Sequence, residues 1–190
     1  IPEWFIESCK KISYLFPRAH AVAYVMMAFR IAWFKVYHPL AFYAAYFSIR
    51  AKAFDLRIMT GDLNTQLKEF NRIKALDRGA SPKEKDLMSA LEVSMEMYQR
   101  GYRFINVDIQ HSGARRFSIK DGALLPPFLA IDSLGETVAD AIVEERETKP
   151  FTSLKDLQRR CKVSATIIET MKELKCCGDL PEDEQMSLFG

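Results

Sequence analysis

The longest unbroken apolar run in this 190-residue sequence is nine residues, Ala21 to Phe29, before Arg30 interrupts it. A helix that crosses a bilayer needs about twenty, so a membrane partner is not expected. No apolar leader with a small-residue cleavage site opens the sequence. Cysteine is sparse. Cys9, Cys161, Cys176 and Cys177 show no Cys-x-x-Cys pair and no histidine at ligand spacing, which argues against a structural zinc. Neighbouring cysteines rarely bridge each other, so reduced thiols of a cytoplasmic protein are the expected state. Also missing are a phosphate-binding P-loop, a Gly-x-Ser-x-Gly elbow and a paired-aspartate motif that would hold two metal ions. The sequence therefore offers no catalytic residues and no metal ligands of its own. It starts with Ile rather than Met, and its first residues read as the middle of something longer.

What is present is apolar material, 48% of residues, enough for real cores. Net charge is only +2, but it is unevenly spread. The first sixty residues carry eight Lys/Arg against Glu3, Glu7 and Asp55, whereas four acids and no base follow from Asp179 onward. A basic front fits an anionic partner, and an acidic tail implies a separate task. That acidic stretch beside Pro181 is expected to be solvated and loose.

Periodicity predicts a mainly α fold. A short helix is expected over residues 3–15 and a long one from about Ala19 to Tyr37, stopped by His38-Pro39. The second is apolar on nearly every side, so burial against several neighbours is expected, with Trp4 and Trp33 in the core. Pro39 should start a helix reaching about Ala53. Asp62–Ala75 and Pro82–Arg100 read as amphipathic helices, the latter with Ser81 as N-cap and proline first. Beyond Gly101, Arg103–Ile109 and Arg115–Ile119 alternate around a Ser-Gly turn and predict two short strands. His38 and His111 read as structural and solvent-facing respectively. Residues 128–178 return to short helices, and a flexible tail follows.

Two stretches in that last part look alike. Ile131 to Thr137 forms a tight glycine-bearing hairpin that opens into a helix with Val138, Ala139, Ile142 and Val143. Leu134 should pin it in the core, and Gly135 should supply a backbone conformation other residues reach only at a cost. Ser153 and Asp156 then cap another helix, followed by a hairpin at Cys161–Ser164 and a helix carrying Ile167, Ile168, Met171 and Leu174. A tandem of such units presents helix N-termini to phosphates of both DNA strands without reading bases. Ser133, Gly135, Thr137, Lys162 and Ser164 are the candidate DNA contacts. A plain αα-hairpin ending in glycine remains the alternative. At the other end, Phe16, Arg18, His20 and Tyr24 surround the start of the long helix, where dipole, backbone N–H groups and a cation would favour a polyphosphate. On the residues alone, a buried, backbone-bonded histidine beside a surface arginine is the better reading.

The order of these pieces resembles the C-terminal end of the PolC form of the bacterial DNA polymerase III alpha subunit. The stretches that carry it are FPRAHAVAYVMMAFRIAWFKVYHPLAFYAAYF, ASPKEKDLMSALEVSMEMYQRGYRF, LLPPFLAIDSLGETVADAIVEER, FTSLKDLQRRCKVSATIIETM and QMSLF. The resemblance implies that residues 1–100 are the later part of the polymerase fingers. It further implies a duplex-DNA-binding domain with helix-hairpin-helix motifs at 101–178 and a clamp-binding tail at 179–190. Phe16, Arg18, His20 and Tyr24 would then face the incoming deoxynucleoside triphosphate. Gln185, Met186, Ser187, Leu188 and Phe189 would bind the bacterial sliding clamp, with Leu188 and Phe189 as apolar anchors. Catalytic Mg2+ would be held by aspartates of the full polymerase that match nothing here, so this chain alone is expected to be inactive. A stand-alone helix-hairpin-helix module recruited to the clamp is the competing expectation, and a repair nuclease or ligase subunit a weaker third. One departure stands out: the first hairpin has Glu136 where DNA-gripping hairpins often have a second glycine. That hairpin should either bind weakly or turn Glu136 away.

Overall fold

The computed structural model describes residues 1–12 and 17–183, and the chain divides into two compact units, Ile1–Phe42 and Tyr43–Gly190. The first unit holds α1 (Glu3–Lys11) and α2 (Arg18–Tyr37). Pro17, extended at φ −58 and ψ 143, directly precedes the first helical residue of α2. At its other end, His38 leaves helical geometry because proline follows. Burial does not follow the expectation. No residue of α1 or α2 is buried among the described residues, and Trp4 and Trp33 are 71% and 49% exposed rather than core. A helix apolar all round has no polar face to turn outward, so its periodicity foretells a need for cover without supplying it. By length and mean hydropathy (1.2) α2 also passes for a membrane span, a test that core helices of soluble proteins pass too.

In the second unit, α3 (Pro39–Ala45, which begins in the first unit) runs into a π-helical turn, Tyr46–Arg50, and the helix stops there rather than at Ala53. Short α4 (Leu56–Met59) leads to α5 (Leu63–Ala75), which packs on α6 (Pro82–Gln99). Their starts follow from local chemistry. The Asp62 carboxylate accepts from the Thr65 N–H at 2.8 Å. Ser81 and Glu84 exchange hydrogen bonds in a capping box with Pro82 at the first position. Between the two helices, fully buried Ser94 donates to fully buried Gln66 at 2.6 Å, and Gln66 donates to the Met59 carbonyl at 3.1 Å. No polar atom of this tie is left without a partner, which is what makes its burial tolerable.

Packing continues across Gly101. Phe47 and Phe54 meet Phe104 and Phe117 in a cluster with ring centroids 4.9 to 6.1 Å apart. The strands differ from expectation. β1 (Ser118–Lys120) and β2 (Ala123–Leu125) pair antiparallel with Ile119 opposite Leu124, and their two-residue turn is Asp121-Gly122, both left-handed. Asp-Gly suits a tight hairpin better than Ser-Gly. Ser112 serves elsewhere: its hydroxyl donates to the Pro126 carbonyl and accepts from the Asp108 N–H. Residues 103–109 are not a strand of this sheet: Phe104 bridges Leu124 in parallel fashion, and Asp108 pairs with Lys120 of β1 at 3.1 Å.

After Pro126-Pro127 come α7 (Glu136–Thr148), α8 (Leu154–Cys161) and α9 (Ala165–Glu173). They close over a core that includes Val107, Ile109, Phe128, Ile142, Leu157 and Met171. Burial pushes the Cys161 thiol up to about 11, so it stays protonated at neutral pH and packs as a small apolar group.

Candidate nucleic-acid interface

The two hairpins are built alike. Ser133 and Lys162 sit in the left-handed region at φ 66 and φ 55. Buried Leu134 and Val163 follow them, and then come the N-caps Gly135 and Ser164, from which α7 and α9 start. The buried residue fixes each hairpin to the core, and the helix N-terminus that follows is left at the surface. All five candidate contacts, Ser133, Gly135, Thr137, Lys162 and Ser164, are exposed. N–H groups at such a terminus carry positive partial charge and bind phosphate oxygens without help from any particular side chain.

Two details of the expectation change. Gly135 does not supply the unusual backbone, since its φ of −76 and ψ of 159 suit any residue. Ser133 makes the left-handed turn instead. The fold does not need glycine there for space either, because a Cβ would meet nothing within 4 Å. At the second hairpin, the Ser164 hydroxyl accepts from the Ile167 N–H at 3.3 Å, whereas no side chain caps α7. Ser164 therefore spends its side chain on the helix it begins.

The hairpins are held by residues that local sequence reading passes over. Arg160 on α8 donates to the Glu145 carboxylate at 3.0 Å, to the Lys149 carbonyl at 2.9 Å and to Asp156 at 3.2 Å. Its guanidinium also lies 4.7 Å from the Phe151 ring centre. Arg146 on α7 donates to the carbonyls of Ile109 and Ser112, both at 2.9 Å. Apart from Asp156, one turn back on α8, these hydrogen-bond partners lie 11 to 37 residues away, beyond helix-spacing rules. Glu136, the acid that departs from the usual hairpin, pairs with Arg115 from the segment before β1. The same guanidinium grips Asp140 one turn further along α7.

The acidic stretch is not loose as far as Asp183. The Leu154 and Lys155 N–H groups, at the start of α8, donate to the carbonyls of Pro181 and Glu182 at 2.9 and 3.2 Å. Lys172 pairs with Glu182 at 2.8 Å, and Lys155 pairs with Asp183. Two backbone hydrogen bonds and two lysine pairs hold the segment while its acids stay largely exposed. Gln185, Met186, Ser187, Leu188 and Phe189 lie outside the described residues, as does Phe16.

In the first unit, Arg18 is the first residue of α2, with no acid in that first turn and no side-chain cap. His20 and Tyr24 stack edge-to-face with ring centres 4.6 Å apart. Among the described residues, no group of three or more His, Cys, Asp or Glu is placed to hold a metal ion.

A family model described as a helix-hairpin-helix motif matches residues 101–186. Over its whole length the chain is similar to proteins named DNA polymerase III PolC-type. It is 50% identical to that of Caldanaerobacter subterraneus subsp. tengcongensis over 189 residues, which make up 14% of that protein. It is 48% identical to that of Streptococcus sanguinis and 47% identical to that of Streptococcus pyogenes, each over 191 residues and 13% of the relative. The chain thus spans about one-seventh of the length of the curated relatives it matches.

Proposed function

We propose that this chain, related over its whole length to a segment of PolC-type DNA polymerase III, grips newly made duplex DNA within a cytoplasmic replicative DNA polymerase. The observation that carries the reading is the repeated hairpin: a left-handed residue, a buried anchor and an exposed helix start, twice within thirty-odd residues. Such a pair suits two phosphate backbones across a minor groove, fixing register without reading bases. Residues 101–178 would form this grip, and residues 1–100 would be the later part of the fingers.

Within the fingers, the open N-terminus of α2, Arg18 and the His20–Tyr24 pair support a seat for the triphosphate of an incoming nucleotide, to which Phe16 is assigned from the sequence alone. A cation there would hold the phosphates and balance the charge that builds on departing pyrophosphate. Mg2+ would be held by residues of the full polymerase outside this chain, so the nucleotidyl transfer is assigned to the whole protein. The tail from Asp179 would carry Gln185-Met186-Ser187-Leu188-Phe189 to the sliding clamp. Two apolar anchors on a short segment suggest micromolar affinity, about −8 kcal/mol. Simultaneous hold on DNA would raise it through effective concentration.

The test is equilibrium binding of the 190-residue chain to labelled duplex DNA as salt is raised, with clamp binding measured beside it. The logarithm of the affinity should fall linearly with the logarithm of salt concentration, and binding should weaken with Lys162→Glu. Removing Leu188 and Phe189 should abolish clamp binding and leave DNA affinity unchanged. Salt-independent binding, or equal clamp binding after truncation, would remove the corresponding half of the proposal.

A further inference from the structure

We infer that Arg115 is the positioning residue that lets the first hairpin face a phosphate, by holding Glu136 and Asp140 in one internal ion cluster. This rests on the reading of the hairpins as a grip on duplex DNA. The two hairpins are alike in backbone but opposite in charge. The second begins with Lys162 and starts α9 with Ala165, whereas the first starts α7 with Glu136; one turn on, both helices carry an acid, Asp140 and Glu169. An acid in a first helical turn suits the helix dipole, but it occupies the field that would otherwise draw a phosphate.

Arg115 answers this from 21 and 25 residues away. Its Nε donates to Asp140 Oδ1 at 3.0 Å, one terminal nitrogen donates to Asp140 Oδ2, and the other donates to Glu136 Oε2. All three guanidinium nitrogens are engaged, two of them in a bidentate fork that fixes the plane of the third. Glu136 is thereby drawn toward the Arg115 side of α7, the turning away that its place in the hairpin calls for. The Arg115 guanidinium also holds the Asp140 carboxyl below its ordinary range, which keeps that partner charged. Arg115 is half exposed and Glu136 more so, so the cluster adds little to folding stability. Its effect is local: a bare carboxylate about 5 Å from a phosphate weakens binding roughly fourfold in water and more where solvent is displaced.

The experiment is a double-mutant cycle in the 190-residue chain, read as duplex-DNA affinity at low salt, with thermal melting as the check on folding. Arg115→Ala should weaken binding about threefold to tenfold, an effect that shrinks as salt rises. Glu136→Gln should change little with Arg115 present but restore near wild-type affinity when Arg115 is absent. Should Arg115→Ala fail to fold, Arg115→Gln replaces it, since that variant keeps hydrogen-bond donors and removes the charge. Wild-type affinity in the charge-removing variant overturns the inference. So does a loss that Glu136→Gln does not rescue, which would make Arg115 itself a DNA contact or a purely structural brace. If the unaltered chain shows no salt-dependent duplex binding, the DNA reading falls first and takes this inference with it.

Discussion

Ser133 and Lys162 occupy equivalent places, each two residues before the N-cap of the helix that follows and each in the left-handed region, at φ 66 and φ 55. A side chain in that region costs about 1 kcal/mol relative to glycine. Lys162 keeps its place at that cost, which fits a charge wanted at the second hairpin. Lys162→Gly should leave stability equal or raise it by up to about 1 kcal/mol, while duplex affinity falls severalfold and the salt slope shrinks by about one counterion. Ser133→Gly should stabilise similarly without that loss of slope. Denaturation midpoints and anisotropy titrations on both variants decide it. Undiminished affinity in Lys162→Gly would leave the lysine without a DNA role.

Asp156 is the buried acid beneath the second hairpin, 5% exposed and 3.2 Å from Arg160. Burial pushes its carboxyl up, but hydrogen bonds from Arg159, the Thr152 N–H and Arg160 outweigh that and leave it below the ordinary value. A carboxyl depressed in the folded state contributes stability in full above its unfolded value of about 4. That contribution is lost as pH falls through the folded value. Asp156→Asn should cost about 2 kcal/mol at neutral pH, less than a fully isolated buried pair because Arg160 keeps Glu145. Its stability curve should also be flatter than wild type below about pH 4. Parallel acid limbs in urea titrations of the two proteins would contradict this.

Glu182 and Asp183 strap the tail to α8 and α9, and the strap should respond to acid and salt. Lys172 holds the Glu182 carboxyl below its usual value, so the pair contributes in full above the unfolded carboxylate value and is lost as pH falls through the lowered folded value. The reporters are the Leu154 and Lys155 amides, which donate to the strap at 2.9 and 3.2 Å. Their hydrogen-exchange protection should drop in Lys172→Ala, and drop in wild type at high salt. Unchanged protection in both would mean that the backbone bonds alone hold the segment.

The capped helix starts were legible because their causes are local. Ser81, Pro82 and Glu84 lie within four residues, and so do Ser153 and Asp156, and both caps formed as read. The hairpin anchor Leu134 was legible for the same reason. What escaped depended on distance or on rank among local signals. Asp121-Gly122 outcompeted Ser112-Gly113 as the strand turn, and Ser112 turned out to be tied to Pro126. The left-handed turns of Ser133 and Lys162 carry no residue signature, whereas Gly135, with ordinary dihedrals, does. Arg115, Arg146 and Arg160 reach partners through the fold, where a sequence pattern does not extend. The acidic run read as loose because its partners, Lys155 and Lys172, precede it by ten or more residues.

The composition of α2 demands a cover that its own residues do not provide. Phe29, Val36 and Val22 are 72%, 62% and 55% exposed, and Trp33 and Phe34 beside them about half exposed. Each large apolar side chain left in water forgoes about 1.5 to 3 kcal/mol of burial, so a surface of this extent favours association. If the rest of a polymerase normally covers it, the isolated chain should find a substitute in copies of itself. Sedimentation velocity should therefore show a mass that rises with concentration. Phe29→Ser combined with Val36→Ser should shift the chain toward monomer, while the melting of the second unit, followed through burial of its Phe47–Phe54–Phe104–Phe117 cluster, stays unchanged. A chain that remains monomeric at all concentrations would mean that α2 tolerates exposure or finds cover within the chain in solution. Its apolar face would then be no evidence of a missing neighbour.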